Sequence, residues 1–315
     1  MAACLTFVSD ERYLPLTLIA AATAVANTSS KITISLLSLG VSDRVCADVK
    51  QFVTDLGASA NIIDISENAH GIDWSSLGTM RSDISTATYG RLIAPDVLDE
   101  FDSILYLDGD VLIDGDVVEL LRSPPAHFAA VEALHHATAK APLYVENPNI
   151  PQAPSYFNAG LCHINCDYWR QEGFSRQAIS LLSSNSIKLP MSDQDVLNYL
   201  FGFTYQRLDL RWNFTWPMSQ RLPKLRPFIA HFAGQMKPWD PDEWRCPQVF
   251  KDTYQQFRKR LPSSVERYYP TLCFDNVEKA GLRRERLMSA LGRNKKGVWN
   301  SKHEPALTGW CAQSS

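Results

Sequence analysis

Within its first 65 residues the chain alternates between short apolar runs and longer segments of helical character, and that alternation leaves few architectures open. Residues 4–8 read as a strand that ends at Ser9-Asp10-Glu11. An Ala-rich helix over 13–27 follows, closed by Asn27 and Ser29-Ser30. Residues 32–39 read as a second strand, 45–56 as a helix ended by Gly57, and 61–65 as a third strand. Strand, helix, strand, helix, strand opens a parallel, doubly wound α/β sheet. A chain of 315 residues, 45% apolar and 21% charged, has room for one large soluble α/β domain, or one domain with an appendage. In such sheets ligands bind in the crevice beyond the carboxyl ends of the strands.

One stretch puts chemistry at such an end. In Ser-Ile-Leu-Tyr-Leu-Asp-Gly-Asp-Val-Leu-Ile (103–113) a buried-strand pattern runs into Asp108 and Asp110, separated only by Gly109. Two carboxylates so placed repel each other unless a cation lies between them. Hard divalent ions take oxygen ligands and share them with substrate phosphates, so a metal–phosphate site is the first expectation. A polar turn after a strand fits the same residues, since Asp is a common turn residue. A calcium loop would use Asp108, Asp110 and Glu119 as its first, third and twelfth positions. It fails, because Leu112 and Ile113 stand where an oxygen ligand and Gly are needed. The stretch also resembles the Asp-X-Asp-X-Val of haloacid-dehalogenase-type phosphatases, in which Asp108 would be a nucleophile. That motif usually opens its domain, and here it lies a third of the way along.

Charge and cysteine content narrow the class. A net charge of −3 gives no argument for nucleic acid. Residues 258–302 depart from that balance with twelve Lys/Arg against four Asp/Glu, a basic tail. The seven cysteines are scattered, and Cys162 and Cys166 have no second pair at zinc spacing, so reduced thiols in a cytosolic protein are expected. Residues 14–26 mimic the apolar region of a signal peptide. They follow Asp10 and Glu11 with a single Arg12 and lie after a strand, so they read as a buried helix.

Further along, a short helix over 86–94 stopped by Pro95, a helical turn over 117–121 and a strand over 128–131 ending at Glu132 are expected. Residues 133–156 show no period, a length typical of functional or disordered loops. A strand over 159–164, a helix over 168–182, a capped helix start within 190–201 and a last strand over 228–232 complete the pattern.

Four further stretches stand in order with Tyr-Leu-Asp-Gly-Asp-Val: Thr-Tyr-Gly-Arg-Leu (88–92), Tyr-Phe-Asn-Ala-Gly-Leu (156–161), Ser-Asp-Gln-Asp-Val-Leu-Asn (192–198) and His-Phe-Ala-Gly-Gln-Met-Lys-Pro-Trp (231–239). Together they resemble the retaining glycosyltransferases of family eight, which include bacterial lipopolysaccharide α-galactosyl- and α-glucosyltransferases and glycogenin. The resemblance covers about residues 4–240. It implies a GT-A fold (a Rossmann-like, mainly parallel sheet flanked by helices), a UDP-hexose donor, a saccharide or glycolipid acceptor, and Mn²⁺, with Mg²⁺ as second candidate.

By the same resemblance Asp108, Asp110 and His231 hold the metal, and imidazole beside carboxylates suits Mn²⁺ better than an all-oxygen site would. Lys237 and Gly234 match the diphosphate-binding residues, and Gly234 would let the backbone approach the phosphates. Asp10 matches the uridine-binding turn, where this chain carries Arg12 in place of the Asn common in relatives. Arg91 matches an arginine near the donor sugar, and Glu132 stands where relatives often have Asp. Asn158, Ala159, Asp193 and Gln194 match the sugar pocket, with Gln194 and Asp193 nearest the reacting centre. Asp193 also reads as a helix N-cap, and Asp195 as a brace for that helix. A degenerate, non-catalytic sugar-nucleotide-binding protein is the remaining alternative.

The division expected is a catalytic domain over 1–240 and a partly helical, basic extension over 241–315. Within the extension, Val277, Ala280, Leu287, Met288 and Leu291 lie near one face of a possible helix, a face that Arg284 interrupts and that Arg283, Arg286, Arg293, Lys295 and Lys296 surround. Two readings of the basic amphipathic segment 276–302 stand side by side: it rests on anionic lipid at the inner face of a membrane, or it is a solvated helix packed on the catalytic domain or an ordinary basic surface; in both the protein is expected in the cytoplasm.

Overall fold

The computed structural model describes residues 3–66, 72–74, 77, 85–134, 140–184, 186–222, 224–234 and 236–269. Strands β1 (Ala3–Asp10), β2 (Thr33–Leu39) and β3 (Ser59–Asp64) pair in parallel, with helices α1 (Leu14–Ala26) and α2 (Asp43–Asp55) as the crossovers. The expected βαβαβ opening is present, each element within a few residues of its predicted span. Two chain segments then lead to β4: a 3-10 turn over Thr86–Leu92 and the short helix α3 (Ala94–Val97). Pro95 does not stop a helix there. It lies in the first turn of α3, where a missing N–H costs nothing.

β4 (Ser103–Leu107) lies parallel to β1 on the side away from β2. The chain then leaves the sheet through Asp108-Gly109-Asp110, and β5 (Val111–Ile113) enters a second, smaller sheet. After α4 (Val118–Leu121) come β6 (Phe128–Glu132), α5 (Pro142–Glu146) and β7 (Phe157–Asn165). Next are α6 (Cys166–Glu172), α7 (Phe174–Ser184), α8 (Asp193–Phe201) and β8 (Gln206–Arg207). The described chain closes with β9 (Phe214–Thr215), α9 (Trp216–Arg221), β10 (Ile229–His231), α10 (Gln248–Arg258) and α11 (Ser263–Glu266). The main sheet has the order β3-β2-β1-β4-β7-β6-β8, and among its described strands β7 alone runs against its neighbours. The small sheet has the order β5-β10-β9.

Both faces of the main sheet are covered, so its central strand β4 is buried along its whole length. Leu105 and Leu107 pack with α1, α2, α10 and the small sheet, whereas Ile104 and Tyr106 pack with α3, α6, α7 and α8. Helix α1 is deeply enclosed, with every residue from Leu14 to Ala24 buried. Its Thr23 hydroxyl accepts from Ile113 N at 3.2 Å, and the Asn27 amide donates to Ile113 O at 2.8 Å, which ties it to the small sheet. The signal-like composition is that of a helix buried all round until its last two residues.

Two further readings of the sequence change. The single helix expected over 168–182 is two, because Gly173 takes φ +65° and ends α6. The unperiodic stretch 133–156 contains α5. The described part of the segment after 240 is packed into the core: Phe250, Tyr254, Phe257, Val265 and Tyr269 are all buried in the cluster that contains α1. Residues 276–302, Cys273 and Cys311 lie outside the described residues, and the five described cysteines are free thiols.

Candidate active site

Strand register builds the centre of the site. β5 pairs with β10 so that Val111 faces His231, and Phe232 N donates to Asp110 O at 3.0 Å. This brings His231, far along the chain, beside the two aspartates. β4 pairs with β7, and Asp108 N donates to Gly160 O at 2.9 Å, which sets the Asn158-Ala159-Gly160 backbone on the other side. Gly109 is forced by its neighbours, since a Cβ there would lie 2.5 Å from Thr17 Oγ1 and 3.2 Å from Thr17 N. The acidic turn therefore rests directly on α1.

Asp108, Asp110 and His231 offer one ligand atom each, all within 4.8 Å of one another. His231 Nε2 lies 3.2 Å from Asp110 Oδ1 and 3.7 Å from Asp108 Oδ2. The other ring nitrogen, Nδ1, is 2.8 Å from Asn213 Oδ1. With Nδ1 engaged, Nε2 is the nitrogen turned to the carboxylates, as a metal-binding imidazole requires. The remaining carboxylate oxygens are held from outside. Lys237 Nζ donates to Asp110 Oδ2 at 3.1 Å and to Phe232 O at 2.9 Å. Burial works to raise the Asp110 carboxyl, but Lys237 and His231 outweigh it and hold it well below the usual range. Asp108 Oδ1 accepts from Tyr106 Oη and from Arg91 Nη2, each at 2.8 Å. Two fixed carboxylates and an oriented imidazole fit a divalent cation.

Arg91 is the second organising charge. Only 6% exposed, it bridges Asp108 and Asp193, with Nε 2.8 Å from Asp193 Oδ2. Nη1 donates to Ala159 O at 2.7 Å, and the guanidinium lies over the Tyr106 ring at 4.5 Å. Burial disfavours its charge, yet Asp108 and Asp193 more than compensate and keep it protonated. For Asp193 burial is the larger influence and raises the carboxyl against the pull of Arg91. The N-cap expected at Asp193 is instead Ser192, whose φ of +51° is unusual for a residue with a side chain, and Asp193 is the first residue of α8.

The amides form a chain beside this pair. Gln194 Oε1 accepts from Ala159 N at 3.1 Å and from Asn158 Nδ2 at 3.0 Å, while Gln194 Nε2 donates to Tyr156 Oη at 3.0 Å. Tyr156 donates on to Asp195 Oδ1 at 2.6 Å, and Asp195 Oδ2 accepts from Met191 N at 2.6 Å. Asp195 is thus the brace expected of it.

The model of glycosyl transferase family 8 matches residues 4–243. The chain belongs to that family. It is a retaining glycosyltransferase, and membership replaces both the phosphatase reading and the non-catalytic one. A putative glycosyltransferase of Haemophilus influenzae is 22% identical over 282 residues, 87% of this chain and 82% of that one. The lipopolysaccharide 1,3-galactosyltransferase of Salmonella typhimurium is 31% identical over 167 residues, 49% of each chain, so the chain spans about half of that relative. Among solved structures, the galactosyltransferase LgtC in complex with donor and acceptor sugar analogues has a TM-score of 0.67 at 22% identity, covering 82% of this chain and 99% of that one. At that identity the likeness speaks for the fold, a GT-A fold with a mainly parallel sheet.

In this family 8 member, polar contacts join Arg91, Asp108, Asp110, Asn158, Ala159, Asp193, Gln194, His231 and Lys237 into one group. Asp10, Glu132 and Gly234 lie at the ends of β1 and β6 and just after β10, outside that group. Asp10 accepts from Tyr13 N at 2.9 Å, and Glu132 pairs with Arg207 at 3.2 Å. Gly234 takes φ +92°, the conformation for which glycine suits that turn. Reasoning from sequence left Tyr106, Tyr156, Gly160 and Asn213 without roles. Tyr106 had a signal, being two residues before Asp108 on a strand and so on its face. Asn213 had none.

Proposed function

We propose that the protein transfers a hexose, galactose or glucose, from a UDP-sugar to a hydroxyl of a saccharide or lipid-linked glycan, with Mn²⁺ held by Asp108, Asp110 and His231. The observation that carries this reading is the convergence of those three ligands with Lys237 on one side and the Arg91–Asp193 pair on the other. Relatives named as lipopolysaccharide galactosyl- and glucosyltransferases support the choice of sugar and acceptor class. The mixed carboxylate–imidazole set favours Mn²⁺ over Mg²⁺.

When bound, the cation would act as a Lewis acid that neutralises charge developing on the departing diphosphate. The chain's own residues do the rest. Asp10 meets the uridine, and Lys237 uses two of its three N–H donors on Asp110 and Phe232, leaving the third for a phosphate oxygen. Gly234 lets the backbone come near the same phosphates. Arg91 orients Asp108 and Asp193, and Asp193, Asn158, Ala159 and Glu132 line the sugar pocket. Gln194 Oε1 already accepts two hydrogen bonds, which supports a dipole facing a cationic sugar rather than a nucleophile. Retention then follows from same-face attack. The bond from the acceptor oxygen to the anomeric carbon forms as the bond to the phosphate oxygen breaks, and a β-phosphate oxygen of UDP takes the acceptor's proton.

The site residues named here all lie within the proposed catalytic region 1–240; in the extension 241–315 the described part packs against that region's core, and the basic segment 276–302 meets anionic lipid at the cytoplasmic face of a membrane. Among the described residues no helix is long and apolar enough to cross a bilayer. Salt-sensitive sedimentation with anionic vesicles, lost on deletion of 276–315, tests that contact; protein left in the supernatant at low salt contradicts it. The activity is tested by screening UDP-hexoses for UDP release with Mn²⁺ and with chelator, beside p-nitrophenyl phosphate. Release of UDP from one or two hexoses, abolished by chelator, is expected. Phosphate release from the simple ester without any UDP release would contradict the proposal.

A further inference from the structure

Asn213 ends a 3-10 turn (Leu210–Asn213), and no motif marks it. It is 1% exposed and directly precedes β9, whose pairing with β10 sets Thr215 opposite His231. Phe228 N donates to Arg211 O at 2.9 Å and fixes the turn against the start of β10.

The amide's orientation follows from groups that cannot change roles. Gly160 N can only donate, and it donates to Asn158 Oδ1 at 3.0 Å. The Asn213 atom 2.8 Å from that same oxygen must therefore be the donor, Nδ2. The atom facing His231 Nδ1 is then Oδ1, an acceptor, so Nδ1 is the nitrogen that carries a proton and Nε2 is the one left to offer a lone pair to a metal. The same logic runs the other way. Ala159 N fixes Gln194 Oε1 as an acceptor, so Asn158 Nδ2 donates to it and Gln194 Nε2 must face Tyr156. Two backbone N–H groups of β7 thus determine three side-chain amides and one imidazole.

We propose that Asn213 is a positioning residue that fixes the His231 tautomer for metal binding and ties that ligand, through Asn158, to the amide of Gln194 in the sugar pocket. This rests on the metal assignment above. Partners of this kind are worth about 10–100-fold in metal affinity.

The test titrates the full-length protein with MnCl₂ in the presence of UDP, reading free Mn²⁺ by electron paramagnetic resonance. Native protein, Asn213→Ala, Asn213→Asp, His231→Ala and the Asn213→Ala/His231→Ala double variant are compared. Asn213→Ala should bind Mn²⁺ about 10–100-fold more weakly. Asn213→Asp keeps an oxygen for Nδ1–H but loses the donor to Asn158. It should bind Mn²⁺ within about threefold of native, while its kcat at saturating metal stays below native. A residue acting through His231 adds nothing once His231 is gone, so the double variant should match His231→Ala. Native-like Mn²⁺ affinity in Asn213→Ala, with His231→Ala weakened, overturns the role of Asn213 and leaves the metal site standing. Multiplicative losses in the double variant overturn it as well. Undiminished binding in His231→Ala removes the metal assignment itself, and this inference with it. Should Asn213→Ala fail to fold, native kcat in Asn213→Asp overturns the link to the sugar pocket.

Discussion

At the scale of single residues, Gly160 shows how closely the site is packed. A methyl group there would overlap Cε1 and Nδ1 of His231 and come within 2.9 Å of Asn158 Oδ1. Gly160→Ala should therefore push the imidazole off Asn213, weakening Mn²⁺ binding more than tenfold and costing about 1–3 kcal/mol of stability. Metal titration and thermal unfolding measure both, and a variant with native affinity would contradict the packing argument. Asp195 makes a pH prediction. Burial pushes its carboxyl up from 3.8 to about 6, against the pull of the Tyr156 hydroxyl and Met191 N–H. The folded state then holds the proton more tightly than the unfolded chain. The stability this contributes is fully present below pH 3.8 and is lost as pH rises through about 6. Relative to Asp195→Asn, native protein should lose up to about 3 kcal/mol between pH 4 and 6.5 in denaturant titrations. A flat difference across that window would rule it out.

Elements were legible in proportion to how local their causes are. β1, α1, β2, α2 and β3 were read from periodicity and closing residues, because each buries a face that its own sequence displays. The break between α6 and α7 was missed because the apolar face continues across it and only the backbone of Gly173 turns left-handed. A Cβ at that position would meet no atom within 4 Å, so Gly173→Ala should cost only the conformational penalty, about 1 kcal/mol, seen as a lower melting temperature with unchanged turnover. β8 and β9, two residues each, exist only through pairing with β6 and β10 and carry no pattern of their own. The site divides the same way. Asp108, Asp110, Arg91, Asp193, Gln194, His231 and Lys237 sit in motifs that could be matched, whereas the role of Asn213 arises only from the meeting of β9, β10 and β7.

For the whole molecule, the acidic turn is where the chain passes from the large sheet to the small one. The sheets lie against opposite ends of that turn, so neither can shift without moving Asp108 or Asp110. Helix α10 closes the arrangement: Phe250 and Tyr254 pack on Phe232, next to His231, at ring distances of 5.1 and 5.8 Å. A chain ended at residue 245 would lose Phe250, Tyr254, Phe257, Val265 and Tyr269 from the core, with each large aromatic deletion worth about 3–5 kcal/mol. It should be insoluble or unfolded by circular dichroism, and a folded, active product would show that the core ends earlier. The central claim, retaining transfer from a UDP-hexose, is tested most directly by following product formation by proton NMR with UDP-α-galactose and UDP-α-glucose in the presence of Mn²⁺. The first sugar product to appear should carry the α anomeric signal, and its formation should stop with chelator and in Asp110→Ala. A β-anomeric first product, or α product formed at an undiminished rate by Asp110→Ala, would contradict it.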